Sequence, residues 1–293
     1  MERAKGILYA ALSSSTFGLA PLFTLLLAGG YSPFEALSYR WGVAALFPGA
    51  LAVCSGRSFR LGRRELVTVF LLSLFRAVTS LSLIIAYQHI ASGVASTIHF
   101  MYPLAVALAM MCFFREKGSA WVFAAIGMSV VGAVLLSLGN VDFTVENSAL
   151  GMVSACVSVF SYSGYIVGVR KSRAVEIDSA VLTCYVMGLG ALYFILGGLL
   201  TGGVRIETDG MTWLCILGLA LPATALSNMT LVQAIKRIGP TLTSIFGAME
   251  PLTAVVIGVA VFGEPFTAQG AAGILLIVAA VSVVVLRTGR RPQ

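Results

Sequence analysis

A glutamate beside a proline, near the middle of an otherwise apolar stretch, is the first place in this sequence where chemistry can happen. The stretch runs from Pro240 to Glu264 and carries Glu250 and Pro251 near its centre, and it is about long enough to cross a bilayer as a helix. An acid at that depth costs roughly 2.5 kcal/mol or more in hydrocarbon, so it must face a cavity, a partner or a permeating solute. Pro251 removes one helix hydrogen bond and invites a bend. The same design runs earlier from Ser92 to Glu116. Displaced by 148 positions, Ser96, Met101, Pro103, Leu104, Phe114 and Glu116 fall on Ser244, Met249, Pro251, Leu252, Phe262 and Glu264, while Tyr102 stands where Glu250 does.

Other polar residues lie at similar depth. Counting 1.5 Å per residue from the ends of their apolar runs brings Glu250, Arg76 and Arg40 close to the midplane. Two readings are open: a structural ion pair between Glu250 and an arginine, or a site whose charges receive the ammonium and carboxylate of a zwitterion. His99, one turn before Pro103, is either a polar packing residue or a proton relay. Phe17 and Tyr162 occupy equivalent places in the two halves and, with Trp41, Phe100, Tyr102 and Phe246, can wall a site for a solute with an apolar or aromatic side chain. Hydroxyl-rich helices hold Ser13 to Thr16, Thr79 to Ser82, Ser158 to Ser163 and Thr224 to Thr230; such groups stitch helices together or contact solute. Among them Asn228, with two donors and an acceptor, is the best direct ligand. Pro103 and Pro251 are expected as hinges, Pro21 and Pro222 as further bends, and the interfacial Glu116 and Glu264 as gate latches rather than ligands.

Ten apolar segments would position these residues, at about 5–28, 32–54, 65–87, 92–114, 119–138, 148–169, 178–200, 211–234, 240–262 and 267–286. Each is near the ~20 residues that span a ~30 Å hydrocarbon core. With 58% hydrophobic and 11% charged residues, the chain is an all-α integral membrane protein. The net charge of +7 does not indicate nucleic acid, because the basic residues sit in the short links, where they orient helices. The five cysteines have no metal-ligand spacing and read as small packing residues; no cofactor or metal is implied.

The first segment has the form of a leader peptide, but Ala4, Gly6, Ala10 and Ser13 recur as Ala149, Gly151, Ala155 and Ser158, so it is expected to be retained. Tyr39, Gly42, Ala45 and Leu46 likewise match Tyr185, Gly188, Ala191 and Leu192. These displacements are what a duplication with small loop insertions leaves. They divide the chain into one five-helix unit at 1–140, a second at 146–288 and a basic tail at 289–293. An odd number of spans inverts the second copy, an architecture of secondary transporters with a solute site at the midplane. The arginines and lysines of the links place both termini in the cytoplasm. The fifth and tenth segments lack polar residues and are expected outermost, against lipid or a second copy in a homodimer.

The run Ala-Leu-Ser-Tyr-Arg40-Trp-Gly, then Ala-Tyr87-Gln, Ala-Ser96 and Tyr-Pro103-Leu leading to Phe-Arg-Glu116, resembles the EamA-type module of the drug/metabolite transporter superfamily. The second half keeps the pattern from Glu-Pro251 to Gly-Glu264 but has Val186 opposite Arg40. The resemblance covers the whole chain. It implies a ten-helix inverted-repeat carrier of a bacterial inner membrane that exports small metabolites by alternating access, and looks most like the amino-acid exporters. Efflux of cationic drugs or quaternary amines is the alternative, with Glu250 as the cation ligand. An intramembrane enzyme is more remote, since the chain has no HExxH motif, no serine nucleophile motif with a matched histidine and no paired intramembrane carboxylates.

Overall fold

The computed structural model describes residues 2–20, 31–90, 92–138, 149–205, 207–263 and 267–288. The expectations for Pro21, Glu264 and the tail at 289–293 lie outside them. The described elements are helical: α1 Glu2–Phe17, α2 Pro33–Cys54, α3 Arg63–His89, α4 Ser92–His99, α5 Tyr102–Phe114, α6 Ala120–Leu138, α7 Ala149–Lys171, α8 Ser179–Thr201, α9 Gly210–Ala220, α10 Ser227–Ile238, α11 Pro240–Phe246, α12 Met249–Phe262 and α13 Ala268–Thr288. Local chemistry sets several of these ends. Ser32 caps α2 by accepting from the Glu35 N–H at 3.2 Å while Glu35 accepts from the Ser32 N–H at 3.3 Å, a reciprocal cap ahead of Pro33 in the first turn. Asp178 caps α8 through the Ala180 N–H at 2.9 Å, and Asp209 caps α9 through the Thr212 N–H at 2.7 Å.

Among the described residues, eight stretches are long and apolar enough to cross a membrane, and Ala120–Leu136 is a shorter apolar helix. The chain is an all-α membrane protein. Two of the spans expected as single bent helices are broken. In the first, α4 ends at His99 and α5 begins at Tyr102; in the second, α11 ends at Phe246 and α12 begins at Met249. Both interruptions fall just before the prolines. Pro103 and Pro251 have no N–H to offer the carbonyl four residues back, and the chain tightens there instead: Met101 donates to Ile98, Ala248 to Ile245 and Glu250 to Gly247.

A third irregularity joins α9 to α10. Pro222 opens the helix into a wide turn over Leu221–Leu226, where the Ser227 N–H donates to the Pro222 carbonyl. Such π-type turns frequently mark functional sites.

Packing pairs the two halves of the chain. Helix α1 lies chiefly on α10, α2 on α8, α3 on α7 and α6 on α13, while α5 packs on both α7 and α11. Exchanging the halves turns the α1–α10 contact into the α7–α3 contact and maps the α2–α8 and α6–α13 pairs onto themselves. The main core lies among α2, α3, α7 and α8, with Trp41, Leu72, Tyr165, Ile166, Leu182, Met187 and Phe194 buried. Helices α6 and α13 use each other as partner and leave Trp121, Val131, Leu275 and Val278 exposed.

At the face that carries Arg63, Lys171 and Lys236, one contact joins the two halves and another ties two helices of the second half together. Arg237 pairs with Glu2 at 3.2 Å and lies over the Tyr9 ring, and Arg170 donates to the Lys236 carbonyl. At the other face Arg205 pairs with Glu35 at 3.0 Å. There the Tyr31 hydroxyl, with help from the Asp209 and Thr208 N–H groups, holds the Glu207 carboxyl below its ordinary value.

Candidate functional site

The deep polar residues converge on one cavity of about 80 Å³. It is lined by Phe17, Arg40, Arg76, Thr79, Ser80, Leu83, Ile84, Tyr87, His99, Tyr162 and Glu250. It extends along α3 from Arg76 toward Tyr87, away from the basic face. On the basic side Leu72, Val169, Val232 and Ile235 are buried and fill the space.

The two arginines are held from one helix. Arg40 Nε donates to Thr224 Oγ1 at 2.6 Å, and Arg76 Nε donates to Asn228 Oδ1 at 3.0 Å. Thr224 and Asn228 are one turn apart, within and just after the wide turn, and the Asn228 side-chain amide donates back to the Thr224 carbonyl at 2.7 Å. Arg76 also reaches Ser80 Oγ at 3.3 Å and sits 5.3 Å from the Phe17 ring, 5.8 Å from Trp41 and 5.2 Å from Tyr162. Aromatic faces favour a guanidinium at such distances. Arg76 is thus held by neutral groups and left with its positive charge.

Glu250 occupies the opposite part of the wall, at the start of α12. Gly18, at the end of α1, makes room for it: a β-carbon there would lie 2.6 Å from the Glu250 carbonyl oxygen. Among the described residues the Glu250 carboxylate makes no ion pair. Arg76 and Arg40 line the same cavity. The site therefore holds one negative and two positive groups around a common space without joining them.

Aromatic rings form a third part. His99 stacks on Tyr162 with centroids 5.5 Å apart, and Tyr102 meets Tyr162 edge-on at 4.7 Å. His99 Nδ1 lies 2.8 Å from Ser158 Oγ, whose own proton goes to the Ala155 carbonyl at 2.6 Å. Nδ1 is then the donor, leaving Nε2 of the neutral ring to accept.

Several expectations are corrected. Asn228 does not line the cavity; it is fully buried and orients Arg76 from behind. Phe246 is buried with Ala10, Ala107 and Ile245 in a separate cluster, because the break at Gly247 turns α11 away from the cavity. Tyr102 stands behind Tyr162 rather than in the lining. Pro222 is in the wide turn, where it shapes the arginine bracket. Glu116 lies at the end of the first broken span and accepts a long contact, 3.5 Å, from Thr241 in the other half. Tyr87 was missed as a site residue. It sits two residues from the end of α3 and bonds Ser96 at 3.2 Å, and only its place in the Ala-Tyr87-Gln run marked it.

Known proteins resemble this chain over most of its length. An uncharacterized transporter of Bacillus subtilis (strain 168), YojE, is 25% identical over 288 residues, covering 92% of this chain and 90% of its own length. An uncharacterized transporter of Archaeoglobus fulgidus is 26% identical over 238 residues, covering 81% of this chain and 83% of its own. A solved crystal structure shares the fold, with a TM-score of 0.84 over 98% of this chain and 99% of the other at 19% identity. The EamA-like transporter family matches twice, over residues 4–138 and 149–286, and the chain belongs to that family.

Proposed function

We propose that this transporter carries small zwitterions of the amino-acid type, apolar and aromatic side chains favoured, outward across the cell membrane. One observation carries the reading: Glu250 and the arginines Arg40 and Arg76 share a cavity yet stay unpaired. Glu250 then receives the ammonium group, the guanidinium groups receive the carboxylate, and Phe17, Tyr162 and His99 take the side chain. Opposite charges held apart by neutral scaffolding suit a ligand that carries both. The cavity of about 80 Å³ has room for a few water molecules, so a bulky solute needs the flanking half-helices to move.

That movement is rocking of α4–α5 and α11–α12 about their breaks, in two inverted halves. The pairing of α1 with α10 and of α7 with α3 supports a twofold relation between the halves, because exchanging them interchanges the two contacts, and an odd number of spans in each half would invert one copy.

The test is counterflow in proteoliposomes with a panel of amino acids and quaternary amines. Amino acids should exchange and quaternary amines should not. The reverse would establish the second reading, efflux of cations, which two arginines on the wall oppose by repulsion.

A further inference from the structure

A second, larger space lies outside the central site. Between α5 and α7, floored by Phe75 of α3, a groove of about 750 Å³ is walled by apolar side chains that include Leu108, Ala109, Phe113 and Phe160. Its lining runs along α5 from Met101 to Phe114, a rise of about 20 Å. That compares with the ~15 Å depth of one leaflet in a ~30 Å hydrocarbon core. At its basic-face end stands Lys171, with Nζ 4.9 Å from the Phe114 ring centroid. Among the described residues Lys171 makes no ion pair.

We propose that this groove is a binding site for an anionic phospholipid of the leaflet at the basic face. One acyl chain lies along the groove and the headgroup phosphate meets the Lys171 ammonium. The reasons are length, polarity and charge. The groove is one leaflet deep, its walls are hydrocarbon, and its single cation stands where a headgroup sits. The carbonyl ends of α5 and α7 disfavour an anion by a fraction of a charge each. A full cation at the mouth overcomes them, and Arg115 and Lys117 follow α5 at the same end. A free zwitterionic solute fits less well, having no anionic partner for its ammonium and no reason to run the whole length.

The test is native mass spectrometry of the full chain, purified from vesicles of equal phosphatidylglycerol and phosphatidylcholine. The wild type should retain one phosphatidylglycerol with about fivefold preference, the scale of one basic residue at a membrane surface. Lys171→Gln should retain the two lipids equally, and Ala109→Phe, which fills the groove, should retain neither. Arg170→Gln, whose arginine is engaged with the Lys236 carbonyl, should behave as wild type. Equal retention by the wild type, or a preference that survives Lys171→Gln, would overturn the proposal. So would an equal loss in Arg170→Gln, which would mean general surface charge. The Lys171 comparison decides the matter even if Ala109→Phe fails to fold.

Discussion

Equivalent positions in the two halves carry a carboxylate and a phenol, and the pair divides the labour of the site. Glu250 faces the cavity, whereas Tyr102 packs behind Tyr162 and sets its hydroxyl against Gly247, where a β-carbon would come within 1.4 Å of it. Gly247→Ala should therefore lower stability by about 1–3 kcal/mol, the usual range for an overpacked core, read as a loss of thermal stability in detergent. Glu250→Gln keeps the shape and removes the charge. It should raise the solute concentration needed for half-maximal transport by about 10- to 100-fold, as expected for a charged hydrogen bond worth about 1.5–3 kcal/mol, with expression unchanged. Unaltered counterflow would remove Glu250 from the site. Depth along the chain put Arg40, Arg76 and Glu250 at one level, because 1.5 Å per residue locates a residue between the membrane faces, and the repeat set Phe17 opposite Tyr162. Direction around the helix was not legible. Asn228 and Phe246 were singled out for their chemical type, which does not fix the direction a side chain takes around its helix.

Among the helices, the prolines announced the two breaks but not their form. A proline interferes with the turn before it, which is why the helix breaks at Phe100–Met101 and Gly247–Ala248 rather than at Pro103 and Pro251 themselves. Pro251→Ala restores an N–H and allows α11 and α12 to fuse. We expect the fused span to slow transport severalfold while the protein stays folded, and a wild-type initial rate of exchange would dismiss the hinge. The wide turn at Leu221–Leu226 was read only as a bend at Pro222. Nothing in local composition separates a π-type turn from a kink, yet that turn is what puts Thr224 and Asn228 beneath the two arginines.

Across the whole molecule, the duplication was readable because both copies keep the same small and aromatic residues at nearly constant spacing. The cross-half pairing was not, since it depends on contacts far apart in sequence. Reporters fused to Met1 and Gln293 should both be active only in the cytoplasm, as an even number of spans and the basic links require; opposite locations would break the topology. The unequal halves have an electrical consequence. With its one acid ionised, the empty chamber carries a surplus of one positive charge, and an amino acid with no net charge leaves that surplus unchanged. Loaded and unloaded strokes then move equal charge in opposite directions, so a full cycle of net transport should yield no steady current at any membrane voltage. A quaternary amine would generate one.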